Sequence, residues 1–161
     1  MAKRNEGTSF RELQESNEPS IDFLLLADRA EAINGKLYTM GAAWDRLRVA
    51  DFKAANMISI AVGILVPWGA CNRQHNLTVE LRDSDRNPLE LRMEGQFNTG
   101  RPPNLLPATT QKVVLAFPMI PVIVPREGIY YFTASINGVE YKTTSFTAES
   151  GKPAMPAGAA P

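Results

Sequence analysis

Three groups of side chains have types and spacing that could do chemistry. Asp83-Ser84-Asp85-Arg86-Asn87 reads D-x-D-x-N, the opening of a calcium loop, and Glu94 falls at its twelfth position. Such a loop needs a glycine at its sharp turn, and here the chain has Pro88 instead. Glu94 also falls inside a well-alternating strand pattern. The plainer reading is a hairpin turn whose Asp and Asn side chains bond the backbone. Asp83, Asp85 and Asn87 are therefore weak metal candidates. Cys71 and His75 lie four apart, and a thiol beside an imidazole could serve as nucleophile and base. That chemistry also needs an orienting group and an oxyanion hole, and the sequence supplies neither. His75 has the inward parity of a core histidine, and two ligands are too few for a structural zinc. Third, Gly100-Arg101-Pro102-Pro103 could hold an arginine on a stiff loop, ready to grip a carboxylate or phosphate. Its plainer reading is a crossover kept extended by prolines.

No phosphate-binding glycine loop, nucleophile elbow, paired catalytic carboxylate motif or zinc motif is present. The expectation is a protein that is not an enzyme and has no cofactor. Seventeen basic residues balance seventeen acidic ones, so no charge bias points to nucleic acid or an anionic membrane. A single cysteine excludes an internal disulfide framework. The basic start leads into no apolar run, and the most apolar stretch, Met57 to Trp68, is too short to span a bilayer and contains Pro67. These absences give a cytoplasmic expectation.

The elements that would position these groups are strands. Two runs flank Asn34-Gly35 and two more flank Asn137-Gly138, both strong hairpin signals. Strands are expected over 21–30, 36–46, 57–66, 74–82, 88–97, 111–117, 129–136 and 139–146. In the third, Ile58, Ile60, Val62, Ile64 and Val66 form one β-branched face, as in a central strand. Residues 47–55 read as a polar connection. Val139 and Tyr141 are expected to face inward, and Phe146 falls on the opposite parity to Val139, which predicts a bulge near Thr144. Residues 1–20 read as a polar arm, in which Ser9 and Glu12 could cap a short helix bearing Phe10 and Leu13. Residues 149–161 read as a disordered Ala/Pro/Gly tail, leaving 21–148 as the domain. The fold class is all-β: an antiparallel two-sheet sandwich of about eight strands, immunoglobulin-like or C2-like.

Further landmarks are Leu25-Leu26-Ala27-Asp28, Gly35-Lys36-Leu37-Tyr38, Trp44-Asp45-Arg46, Val66-Pro67-Trp68, Leu81-Arg82-Asp83 and Gly100-Arg101-Pro102. With these the chain resembles a family of small bacterial proteins of unknown function. The resemblance implies a β-sandwich and no activity. The chain departs from it at Arg86, where the family pattern more often has glycine.

The function expected is a non-catalytic interaction or assembly module that binds itself or another protein. The alternative is a ligand- or cation-binding sandwich using Asp83, Asp85 and Arg101. The expected interface is the apolar run from Pro118 to Pro125, with Pro118, Ile120, Pro121 and Ile123, and with Trp68 nearby. Three prolines remove ladder donors there, which keeps the run out of a sheet interior. A strongly apolar extended segment on a surface usually marks an interface.

Overall fold

Two Asn-Gly dipeptides set the geometry from which the sheets grow. Asn34 and Gly35 have φ of 51° and 72°, and Asn137 and Gly138 have 50° and 83°. Both central residues are left-handed, as a two-residue type I′ turn requires. The computed structural model describes residues 17–151. Its strands are β1 (Ser20–Ile33), β2 (Lys36–Ala42), β3 (Arg46–Val49), β4 (Asn56–Val66), β5 (Gln74–Arg82), β6 (Pro88–Asn98), β7 (Gln111–Val122), β8 (Gly128–Ile136) and β9 (Val139–Ser150). A single 3-10 turn covers Trp68–Ala70. The first sheet has the order β2-β1-β4-β7 and the second β3-β9-β8-β5-β6. The fold is thus the two-sheet all-β sandwich. It has nine strands, and every neighbouring pair is antiparallel except β3 with β9. No described helix is long and apolar enough to cross a membrane.

β4 is central, as its pattern predicts. Ile58, Ile60, Val62, Ile64 and Val66 are all buried, in one cluster with Leu77, Val79, Leu81, Phe132 and Phe146 of the other sheet. Its second face is covered too. Ser59 and Ala61 are fully buried, and the ring of Phe23 occupies the space that a Cβ on Gly63 would need. Phe23 and Gly63 are cross-strand partners, so the aromatic ring shields the bare backbone beside it. Tyr130, near the start of β8, donates its O–H to the carbonyl of Arg126 at 2.8 Å. This resembles the tyrosine corner of immunoglobulin-type sandwiches.

Five local expectations need correction. The strand expected over 36–46 stops at Ala42, because Gly41 and Ala43 take φ of 56° and 64°. The chain then crosses to the second sheet as β3, in what reads as a polar connection, and Val49 is fully buried there. The β9 bulge lies at Tyr141 rather than near Thr144, since Ala134 pairs with Lys142 and Ser135 with Glu140. Val139, expected inward, is 54% exposed because it sits beside the hairpin turn at the sheet's end. Glu149 and Ser150, expected in the tail, belong to β9 because they pair with Arg48 and Val49 of β3. The possible Phe10–Leu13 helix and the tail beyond Gly151 lie outside the described residues.

Candidate functional site

The proline run lies on β7, an edge strand, and a bulge lets the strand pass through its first proline. Ile58 pairs with Ile120 and Ile60 with Phe117, so Pro118 and Met119 together oppose Ser59. Met119 has a φ of 51° and donates its N–H to Ser59 Oγ at 3.1 Å. The bulge absorbs Pro118, which has no N–H to give, and β7 continues to Val122. From there the extended chain has two faces. Ile120, Val122 and Val124 point inward and are buried, while Pro121, Ile123 and Pro125 face out. Ile120 is therefore core, not interface, because the bulge re-aims it toward the other sheet. Pro118, Pro121 and Ile123 remain on the surface.

β7 ends the first sheet and β6 ends the second, so the sandwich is open along this side. Half-buried Leu89, Leu91 and Met93 of β6 and Val113, Leu115 and Phe117 of β7 pack onto the core from the two margins. Midway, the Phe117 ring lies 3.6 Å from where a Cβ on Gly95 would sit, so the missing side chain leaves room for the ring between the margins. Beyond it lies a groove walled by Leu81, Leu89 and Leu91 on one side and by Pro121, Ile123 and Pro125 on the other. Its volume is about 380 Å³, within the range of small binding clefts. Glu90, alternating with Leu89 and Leu91, is the one charged residue at its margin, and Ile123 is 53% exposed. The sequence showed the proline run but not Leu89 and Leu91, whose alternation reads as an ordinary half-buried strand.

Trp68 is not near this groove. Val66 pairs with Gln111 and Met57 with Pro121, which places Trp68 at the opposite end of the sheet. Along the strand those two pairs are about 30 Å apart. Trp68 instead carries the Arg101 guanidinium 4.6 Å from its ring centroid, and its carbonyl accepts a 2.8 Å bond from Arg101 Nη2. Arg101 therefore clips its own loop in place. Its loop is also held by Gln111, which donates to the Gly100 carbonyl at 2.9 Å.

The aspartate loop follows β5, whereas Arg101 lies beyond the β6 end that pairs with Gln74. The fold thus keeps Asp83 and Asp85 at the far end of the sandwich from Arg101. Asp83 Oδ1 accepts the backbone N–H groups of Asp85 and Asn87, both at 2.9 Å. Asn87 Nδ2 reaches Asp83 Oδ2 at 3.4 Å. Arg86 takes a φ of 68°, with its guanidinium 3.6 Å from the Tyr131 ring centroid. Glu94 pairs with Arg92 at 2.9 Å, well along β6. The five residues form a hairpin turn fixed by side chain to backbone bonds. Among the described residues no group of three or more His, Cys, Asp or Glu could hold a metal ion.

Cys71 and His75 are both buried. Cys71 Sγ lies 3.3 Å from Gln111 Nε2 and 3.6 Å from the Pro67 carbonyl. His75 Nε2 lies 2.8 Å from the Ala70 carbonyl, and its Nδ1 is 3.0 Å from Asn137 Nδ2. A carbonyl can only accept and an amide NH₂ can only donate, so each ring nitrogen has a matched partner. This is a satisfied core histidine that ties the 67–73 loop to the β8–β9 turn. Trp44 is half-buried edge-on against Phe146, and Arg46 pairs with Glu149 at 2.8 Å.

The family model for DUF6941, described as a family of unknown function, matches residues 22–149. No curated protein matches the chain.

Proposed function

We propose that this chain, which belongs to the DUF6941 family, is a non-catalytic interaction module that binds an extended segment of another protein. The segment lies in the groove between β6 and residues 121–125. The observation that carries this is Ile123, half exposed in an apolar wall on the open side of the sandwich. An isolated exposed isoleucine is unremarkable, but here it adjoins Leu89, Leu91, Pro121 and Pro125 in one concave surface. The prolines matter twice. They remove donors that would let a partner strand pair nonspecifically, and they fix the wall before binding, which lowers the ordering cost. The groove fits two apolar side chains of an extended peptide, and Glu90 favours a basic residue beside them.

The test is peptide display against the immobilised full chain, followed by anisotropy titration of the selected peptides. Peptides with paired apolar residues next to Lys or Arg are expected. Their affinity should fall at least about tenfold with Ile123→Lys, which replaces an apolar contact with a buried charge. Circular dichroism melting should show that variant folded, because the residue is exposed. Selected peptides that bind Ile123→Lys as well as the parent would sink the reading.

A further inference from the structure

A sheet edge presents unpaired N–H and C=O groups, and soluble proteins usually blunt it with prolines, charges or shortness. Among the described residues the sheets have four edges: β2 and β7 in one sheet, β3 and β6 in the other. Three of them are blunted. β7 carries Pro118 and Pro121 and the bulge at Met119. β6 starts at Pro88 and turns Glu90, Arg92 and Glu94 outward. β3 has only four residues, two of them arginines. β2 is the least protected of the four: its one backbone irregularity is Gly41, at a φ of 56° one residue before the strand's end. Its sequence KLYTMGA contains no proline, and its one charge is Lys36 at the end. Tyr38 is 55% and Met40 69% exposed.

β2 is also poorly supported. β1 pairs with β4 only as far as Ala27–Ser59, yet it pairs with β2 out to Ile33–Lys36. Residues 28–33 and 36–41 thus form a two-stranded ribbon that extends past the rest of the sheet. Ribbons of two strands are marginal on their own.

We propose that β2 pairs antiparallel with β2 of a second copy across a two-fold axis, joining two four-stranded sheets into one of eight. The second copy is favoured because β2 is complementary to itself about Thr39. An isologous contact must match residue i to j and j to i. Centring the axis on Thr39 sets each Tyr38 opposite the other copy's Met40, a sulfur–aromatic pair. It also sets Thr39 against Thr39, a favourable cross-strand pair. Lys36 lies three residues from the axis, about 10 Å along the strand, and on opposite sides of it in the two copies, so no like charges meet. An edge of seven residues gives a small interface, so the dimer forms reversibly with concentration.

Sedimentation velocity of the full chain over a concentration series tests this. A monomer–dimer equilibrium is expected for the parent and none for Met40→Lys, which puts two ammonium groups beside the axis. A melting curve for Met40→Lys matching that of parent monomer confirms that only association has changed. Register is read separately by oxidative cross-linking. Thr39→Cys should give a covalent dimer, because directly opposed Cβ atoms lie about 5 Å apart. Tyr38→Cys should not. A parent that stays monomeric at its highest soluble concentration, a dimer indifferent to Met40→Lys, or cross-linking at Tyr38→Cys instead of Thr39→Cys overturns the proposal.

Discussion

Asn137 is the residue whose removal should separate turn geometry from buried hydrogen bonding. Its φ of 50° suits asparagine and suits glycine better. Asn137→Gly therefore keeps the hairpin turn but deletes two side-chain bonds. Oδ1 no longer accepts the Asn76 N–H at 3.0 Å, and Nδ2 no longer meets His75 Nδ1 at 3.0 Å. The first loss is partly solvent-exposed and costs about 0.5–1.5 kcal/mol. The second strands an acceptor on a ring that is 2% exposed. An orphaned buried polar group costs a further 1–3 kcal/mol or so. The expected total is roughly 2–4 kcal/mol, a fall of about 1–2 M in the urea midpoint at an ordinary slope. Equilibrium urea unfolding at neutral pH reads it. A His75→Phe background removes the orphan, so there Asn137→Gly should cost only about 1 kcal/mol. Coupling between the two sites below about 0.3 kcal/mol would refute the reasoning, because it would mean the His75–Asn137 bond carries no weight.

Ile60→Ala should cost about 2–5 kcal/mol and Val62→Ala less, both read by urea unfolding, because each side chain is fully buried in β4. At position 86 the usual order should invert. Arg86→Gly should be more stable than Arg86→Ala by about 1 kcal/mol in thermal melts, since the φ of 68° strains any residue with a Cβ. Millimolar calcium should leave the melting midpoint unchanged, because Asp83 already accepts two backbone N–H groups. A rise in the midpoint would show that the loop binds the ion after all.

What the sequence revealed was local. Both Asn-Gly turns, the alternation of β5 and β6 and the one-faced branching of β4 are patterns within a dozen residues, and each appears in the structure as read. What it hid depends on residues far apart. β3 is four residues long and pairs with Thr147–Ser150, so nothing within Arg46–Val49 announces a strand. The bulge at Met119 exists because Ser59, sixty residues away, offers an oxygen to its N–H. Trp68 and the proline run are both apolar landmarks, yet antiparallel register sends them to opposite ends of the sheet. The groove shows the same limit. Pro121, Ile123 and Pro125 could be singled out from the sequence, but the wall from Leu89 and Leu91 required knowing that β6 and β7 end their sheets on one side.

The two proposed surfaces sit at opposite edges of the first sheet, and that spacing has a consequence. In a dimer joined through β2, the strand order runs from β7 of one copy to β7 of the other. Eight strands at sheet spacing separate the two grooves by about 34 Å. A ligand carrying two groove-binding segments needs a linker of at least about ten extended residues to occupy both. With a shorter linker it binds one groove only. With a sufficient linker the second binding event becomes intramolecular, and apparent affinity rises by a factor of about 10² or more. The two variants then act differently. Ile123→Lys should weaken single and tandem peptides alike, because it damages the groove. Met40→Lys should leave the single peptide's affinity untouched and abolish the tandem gain, because it damages only the joint between copies. Anisotropy titrations of both peptides against the parent and each variant decide it. A tandem peptide that keeps its advantage on Met40→Lys would show that the two grooves are not brought together through β2.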